Sequence, residues 1–277
     1  MTLCDGMYLR GSSVVYETID AINYSTLKEC AKSPRHYQHA LQSRKPASYT
    51  MRRGSLVHTA VLEPDRLPLD YVVWDGDRRG NAWKEFKEAN AGREIVTSSE
   101  YEVAIRIRDS VRGDVVAGPI VSAVGVREPT LIWTDESTGL RCKGRPDLVL
   151  DDHAIVDLKT TRCARAFEFG RSVATYAYHV QAAYYADGYQ RVTSSCPRSI
   201  IIAVENCEPY DVVVYELRDH VLGPGRDEYA RLLSMVHDCQ RDNAWPGYAG
   251  NTALHLELPP WARGDAEDDL GAIGVEF

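Results

Sequence analysis

The sequence predicts an α/β fold, a central mixed β-sheet flanked by helices. Three observations predict it. Runs rich in β-branched residues, TLIW, AIVDLKTT, SIIIAVE and VVVYEL, read as strands. Runs with apolar residues at helical spacing, such as Val103, Ile107 and Val111, lie before and between them. Hydrophobic residues make up 44% of 277, enough at this length to bury an interior without disulfide staples, and too many for a disordered chain.

The elements follow in order. Residues 24–42 open with a helix capped by Ser25, and Pro34 marks a break or a second helix. Residues 54–63 (GSLVHTAVLE) form a short apolar helix closed by Pro64. Residues 65–95 are polar and irregular around a short helix near 83–90. A helix over 97–116 takes Thr97 or Ser98 as its cap. The texture then changes. TLIWTDESTGLRCKG reads as a hairpin around an Asp-Glu-Ser-Thr-Gly turn, and RPDLVL and AIVDLKTT as two strands joined at 151–153. Residues 172–191 are helical, SIIIAVE and YDVVVYEL are strands, and 224–243 form a last helix. Residues 1–262 are expected to make one domain and 263–277 an acidic tail.

Net charge is 32 − 40 = −8, which speaks against a surface that coats nucleic acid without discrimination. The charge is uneven, however. Residues 1–60 carry eight Lys/Arg against four Asp/Glu, a local +4, and 262–277 carry one Arg against five acids, a local −4. A basic channel inside an acidic exterior is therefore compatible with the composition. Seven cysteines include no Cys-x-x-Cys pair, so buried reduced thiols are expected rather than a zinc ribbon or a disulfide framework. The opening MTLCDGMYLRGSS lacks the apolar core of a secretory signal, and no apolar run approaches the roughly 18 residues of a membrane span. A cytoplasmic protein without membrane partners is expected.

The chemistry concentrates in one stretch: Gly144-Arg145-Pro146-Asp147, then nine residues, then Asp157-Leu158-Lys159-Thr160-Thr161. Side chains two apart on a strand share a face, so Asp157 and Lys159 point the same way, and the short turn folds Asp147 back beside them. Two carboxylates at one spot repel, and a hard divalent cation relieves the repulsion. Mg2+ suits the task, because it needs only a few protein ligands and keeps water and phosphate oxygens in its other positions. The Leu158 carbonyl is a further candidate ligand. Lys159 would orient or deprotonate the attacking water and stabilise charge growing on a phosphate. A bare Asp-x-Lys is more often a solvated surface ion pair, so its company matters. Gln181 and Tyr185, four apart on one helical face, can bind a phosphate or a base edge, or simply pack on the sheet with Tyr178 and Tyr184. His58 is either a core histidine or a ligand. Glu128, at the start of the strand before the hairpin, is an ordinary strand-end acid or a third carboxylate.

The set His58, Glu128, Asp147, Asp157-x-Lys159 and Gln181-x-x-x-Tyr185, in this order, resembles the PD-(D/E)XK nuclease superfamily in its RecB-like branch. GSLVHTAVLEP, IWTDESTGLRCKGRPD, DLKTT, YHVQAAYYADGY and LPPWA resemble the nuclease domain of the exonuclease VIII family of prophage recombination enzymes, from residue 24 to about 263. The resemblance implies a Mg2+-dependent exonuclease, with Mn2+ able to substitute, that degrades one strand of duplex DNA from its 5′ end and leaves a 3′ single strand. It implies metal ligation by Asp147, Asp157, the Leu158 carbonyl, Glu128 and His58. It implies catalysis by Lys159 with support from Gln181 and Tyr185, which also contact DNA. Ser25 matches a serine this branch places near the DNA end. A single-strand annealing protein as partner and a ring-shaped homo-oligomer around DNA are further implications. The iron–sulfur variants of the branch need cysteines close to the C-terminus, and none follows Cys239, so no cluster is expected.

Duplex binding needs cations to displace counterions. Arg35, Arg44, Lys45, Arg52 and Arg53 precede His58, and one of them is expected to anchor a 5′-phosphate. Arg141, Lys143, Arg145, Arg162 and Arg165 bracket the acidic pair, with Arg145 expected to touch DNA. No stretch resembles a base-reading module, so little sequence specificity is expected. Two other functions remain compatible with the same residues: a site- or structure-specific endonuclease, and a catalytically silent DNA-binding protein.

Overall fold

The computed structural model describes residues 3–9, 15–43, 48–250, 252–259 and 262, so the expected tail and Arg44 and Lys45 lie outside the described residues. The first half of the chain holds β1 (Gly6–Tyr8), β2 (Ile22–Asn23), α1 (Tyr24–Leu27), α2 (Pro34–Gln42), α3 (Tyr49–Leu62) and α4 (Leu67–Asp70). It continues with β3 (Tyr71–Val73), α5 (Gly80–Ala89), β4 (Glu94–Val96), α6 (Ser98–Gly113) and α7 (Ala117–Ser122). The strand-rich part holds β5 (Gly125–Arg127), β6 (Thr130–Thr134), β7 (Arg141–Gly144), β8 (Leu148–Leu150) and β9 (Ala154–Thr161). Then come α8 (Ala166–Thr175), α9 (Tyr178–Thr193), β10 (Arg198–Glu205), β11 (Val212–Leu217) and α10 (Asp219–Asp242). The mixed α/β class stands.

The strands divide between a five-stranded sheet, ordered β11-β10-β9-β8-β5, and a four-stranded sheet, ordered β1-β6-β7-β2. One long antiparallel hairpin serves both. Arg127 pairs with Leu148 on one side of the division and Leu131 with Gly144 on the other, so the register runs through without a slip. That register sets Glu128 opposite Asp147 and Pro129 opposite Pro146. Neither proline has an N–H to give, so the ladder opens at this point and both strands turn a corner into the second sheet. The Glu128 amide still donates to the Asp147 carbonyl at 2.9 Å and holds the corner. Glu128 itself has φ +46, so it belongs to the corner and not, as expected, to the start of a strand.

Side-chain caps set several helix starts, and they correct the expected boundaries. Asn23, not Ser25, caps α1: its side chain accepts from the Thr26 amide at 2.8 Å. Ser33 caps α2 in front of Pro34, so the proline opens a second helix. Ser48 caps α3, which therefore begins five residues before the apolar run that signalled it (Tyr49 against Gly54). Thr97 and Glu100 form a reciprocal capping box on α6. The expected single helix over 172–191 is two, α8 and α9, broken at Ala177, which sits left-handed at φ +54. Residues 65–95 are less irregular than their polarity suggests, because β3 and β4 pair in parallel around α5.

Two cores lie on opposite faces of the five-stranded sheet. Val156 and Leu158 of β9 face Leu56, Val57 and Val61 of α3 and Ile107 and Val111 of α6. Ile155 faces Val180 and Tyr184 of α9 and Leu232 and Val236 of α10. Each fully buried Leu or Ile contributes about 1.5–3 kcal/mol. Alternation along β9 puts Asp157 and Lys159 on the α9 side. The cysteines are free thiols. Cys30, Cys142 and Cys239 are buried as expected, but Cys4, Cys196 and Cys207 are exposed, lying outside the hydrophobic clusters. No helix among the described residues is long and apolar enough to cross a membrane.

Candidate active site

The site forms where the β8–β9 ladder ends. Leu148 pairs with Val156 as its last rung toward the corner, so Asp147 and Asp157 occupy the next row. With the ladder finished, the Leu158 amide is free to donate to Oδ2 of Asp147 at 2.8 Å. Oδ1 of Asp147 lies 3.3 Å from Nδ1 of His58, which arrives from α3. On the α9 side, Nζ of Lys159 lies 2.6 Å from Oδ2 of Asp157 and donates to Oε1 of Gln181 at 3.0 Å. Gln181 passes the contact on, with Nε2 donating to the Tyr185 hydroxyl at 3.2 Å. Asp147, Asp157, Lys159, His58, Gln181 and Tyr185 thus meet as expected, drawn from both helical layers.

The electrostatics are those of a closed, partly desolvated cluster. Burial pushes the Asp157 carboxyl up, Lys159 pulls it back, and the charge of Asp147 raises it again, leaving it above the usual carboxylate range. Burial also penalises Asp147, but His58, Lys159 and the Leu158 amide together hold it below that range. Burial disfavours the charged forms of His58 and Lys159, yet the two aspartates more than compensate, so both titrate above their ordinary values. Burial drives the Tyr185 hydroxyl upward, so it acts as a neutral hydrogen-bonding group.

Glu128 occupies the third position of the same row, but its left-handed backbone takes it out of the strand pattern, and its charge acts on Arg66 and Tyr71. Among the described residues, no three His, Cys, Asp or Glu side chains converge at metal-ligand spacing. The donors nonetheless fit a hard cation in kind. Oδ2 of Asp157 is buried and, although in ion-pair contact with Lys159, has no aligned hydrogen bond. A carboxylate oxygen in that condition, beside a second carboxylate, suits an ion that completes its shell with water.

The basic residues separate into distinct settings. Arg53 lines a cavity of about 710 Å3 that runs along Thr160, Thr161 and Arg162, directly beyond Lys159 on β9. Arg52 is mostly exposed and lies 3.8 Å from Glu94. Arg35 is exposed on α2, its amide bonded to the Pro246 carbonyl. Arg145 lies over the Tyr16 ring at 4.2 Å and 3.9 Å from Glu17. Arg141 and Lys143 bind main-chain carbonyls instead of facing solvent: Arg141 that of Leu3, and the buried Lys143 those of Tyr16 and Ile19. Ser25 is exposed, its hydroxyl donating to Asn23 at 2.7 Å. Tyr184 belongs to the core, with its hydroxyl on the Ile22 carbonyl. Tyr178 was legible only as a neighbour; its ring lies 4.7 Å from Nζ of Lys159. The signal for it was its place three residues before Gln181 at the opening of α9.

The sequence matches the PDDEXK-like domain of unknown function (DUF3799) over residues 23–256. The chain belongs to this PDDEXK-like family. Its aspartate pair and lysine are the motif for which the nuclease superfamily is named, and the resemblance read from the sequence stands. The family's fold recurs in a crystal structure from Eubacterium rectale of a protein provisionally named an exonuclease. The TM-score is 0.57 at 16% identity, covering 92% of this chain and 100% of that one. A phage-related exonuclease from Haemophilus somnus 129PT aligns at a TM-score of 0.35 and 12% identity, covering 81% of this chain and 96% of that one. Among curated proteins, none matches the chain.

Proposed function

We propose that this PDDEXK-like protein is a Mg2+-dependent deoxyribonuclease that degrades one strand of duplex DNA from the 5′ end, leaving a 3′ single strand for annealing. The observation that carries the reading is the joining of Asp147, Asp157 and Lys159 at the open end of one strand ladder, with a large basic and aromatic cavity beside it. The direction of digestion, the annealing partner and the ring-shaped assembly around DNA rest on the resemblance to the exonuclease VIII family.

Asp147, Asp157 and the Leu158 carbonyl would hold the cation, with His58 and Glu128 as its neighbours or further ligands. When bound, the ion neutralises phosphate charge and makes a water more acidic, with Mn2+ able to replace Mg2+. Lys159 remains charged at neutral pH because both aspartates favour its ammonium. It therefore stabilises negative charge growing on the scissile phosphate rather than serving as a ready base. Gln181 fixes the lysine through its carbonyl and is itself fixed by Tyr185, which preorganises the ammonium before substrate arrives. Arg53, which lines the cavity, would hold a phosphate of the entering strand, and Arg52, Arg35, Arg145 and Ser25 would be further DNA contacts.

The test uses linear duplex DNA labelled at the 5′ or the 3′ end, with Mg2+ or EDTA, and a closed circle as control. Early release of the 5′ label with Mg2+, late loss of the 3′ label and an intact circle are expected. A cut circle would make the enzyme an endonuclease. Absence of cleavage with both Mg2+ and Mn2+ would leave a DNA-binding protein.

A further inference from the structure

The cavity beyond Lys159 holds features that phosphodiester hydrolysis does not use. Tyr176 and Tyr178 flank the left-handed Ala177 at the α8–α9 break, and their rings stack with centroids 5.6 Å apart and planes 29° apart. Both line the cavity. The break is pinned, because the Tyr24 hydroxyl donates to the Ala177 carbonyl at 2.9 Å. A left-handed alanine costs on the order of 1 kcal/mol or more, and it persists here because the surroundings hold it. Tyr178 leans on Lys159, whereas the Tyr176 side of the pair is left to solvent, with 61% of that residue exposed. Exposed tyrosine faces in a groove are the usual platforms for unpaired bases.

The polar lining fits the remainder of a nucleotide. Arg53 and Arg162 both border the cavity, and among the described residues neither forms a salt bridge. The Arg53 guanidinium lies over the Tyr49 ring, 5.7 Å from its centroid. Two cations without acidic partners are available to a phosphate. Glu168 also lines the space, and its Oε1 is neutralised by Arg165 at 2.9 Å. Its Oε2 is buried without a hydrogen-bond partner, which suits an amino group on a base edge. Thr161, on the same face of β9 as Lys159, also borders the cavity at about 6.6 Å further along the strand. The volume of about 710 Å3 lies within the ordinary range of small-ligand sites.

We infer that this cavity is a mononucleotide subsite, in which a base stacks on Tyr176 while Arg53 and Arg162 hold its 5′-phosphate. The inference rests on the nuclease reading and extends it: the subsite receives the terminal nucleotide of the cleaved strand, unpaired from its complement, and retains the nucleoside 5′-phosphate after hydrolysis.

The test measures binding and needs no turnover. Calorimetry with intact protein in EDTA compares deoxyadenosine 5′-phosphate, deoxyribose 5-phosphate and deoxyadenosine. The wild type is expected to bind the nucleotide more tightly than either fragment. Tyr176→Ala should weaken nucleotide binding about 5- to 100-fold, the range of a base–aromatic stack, and leave deoxyribose phosphate unaffected. Tyr176→Phe should restore nucleotide binding, and Arg162→Ala should weaken both phosphate ligands alike. Equal nucleotide affinity in wild type and Tyr176→Ala, or no measurable binding by the wild type at millimolar nucleotide, would overturn the subsite. Base-dependent binding by a protein that never cleaves DNA would uphold the subsite and overturn the nuclease reading alone.

Discussion

Asp147 and Asp157 face each other across the end of the β8–β9 ladder, yet their carboxyl groups are driven in opposite directions, Asp147 down and Asp157 up. The asymmetry comes from their partners. Asp147 has the Leu158 amide and His58, whereas Asp157 has Lys159 and is otherwise held up by burial and by the charge of Asp147. Burial and the neighbouring carboxylate oppose the Asp157 charge more than Lys159 offsets, whereas the partners of Asp147 favour its charge.

The asymmetry predicts different stability costs for two neutralising variants. Asp147→Asn removes a charge that the fold favours and leaves His58 without its counterion. Asp157→Asn removes one that burial opposes. Differential scanning calorimetry in EDTA at pH 7 should find a larger drop in Tm for Asp147→Asn, while neither variant cleaves DNA with Mg2+. A larger drop for Asp157→Asn would overturn this asymmetry.

Lys159→Ala is expected to lower cleavage by about 100- to 1,000-fold or more, the scale of a lost charge-stabilising donor in a desolvated site. DNA binding in Ca2+ or EDTA should change little, because Arg53 and the other cations remain. Turnover by this variant comparable to wild type would remove the lysine from the mechanism.

Gln181 acts through Lys159 and Tyr185. A hydrogen bond to a charged group contributes about 1.5–3 kcal/mol, so Gln181→Leu should reduce kcat by about 10- to 100-fold. KM should stay nearly constant if the residue only positions the ammonium. Tyr185→Phe, which keeps the packing and loses the hydroxyl, should show the same pattern in milder form. A rise in KM with unchanged kcat would assign both side chains to DNA binding instead.

His58 and Asp147 couple folding to pH in the metal-free protein. The His58 pKa is raised on folding, so its contribution to stability is complete below the unfolded value of about 6.5 and is lost as pH rises through the higher folded value. The Asp147 pKa is lowered, so its contribution is complete above about 3.9 and is lost as pH falls through the lower folded value. Both are fully present between roughly pH 4 and 6.5. Thermal melts in EDTA should therefore show wild type losing stability from pH 6 to 8 relative to His58→Gln. Parallel pH profiles for the two proteins would exclude the coupling.

Much of this was legible in the sequence. Strand periodicity puts Asp157 and Lys159 on one face, and the short 151–153 turn brings Asp147 to them. Helical spacing pairs Gln181 with Tyr185. What escaped is the corner at Glu128–Pro129 and Arg145–Pro146, because two prolines act there by facing each other across a ladder, a relation visible only once the register is known. The α8–α9 break escaped for a similar reason: a left-handed alanine carries no sequence signal, unlike glycine at such a position. Lys143 shows the converse error. Its charge suggested phosphate contact, but burial commits it to the Tyr16 and Ile19 carbonyls.

Gly144 tests whether the corner positions α9. A Cβ built there would meet Cδ1 of Tyr185 at 2.8 Å and Cε1 at 2.9 Å, so the tyrosine ring lies directly on the glycine backbone. The neighbour is a largely enclosed ring that also anchors Gln181, and it has little room to yield. Gly144→Ala should therefore cost about 1–3 kcal/mol, the usual range for overpacking, and lower Tm by several degrees. The ring can escape only by shifting the hydroxyl that holds Gln181, so kcat should fall together with stability. Adding Tyr185→Leu should recover much of the Tm, because the smaller side chain removes the clash, but not kcat, because the Gln181 partner is gone. Recovery of both by the double variant would mean that Tyr185 fills space without orienting Gln181.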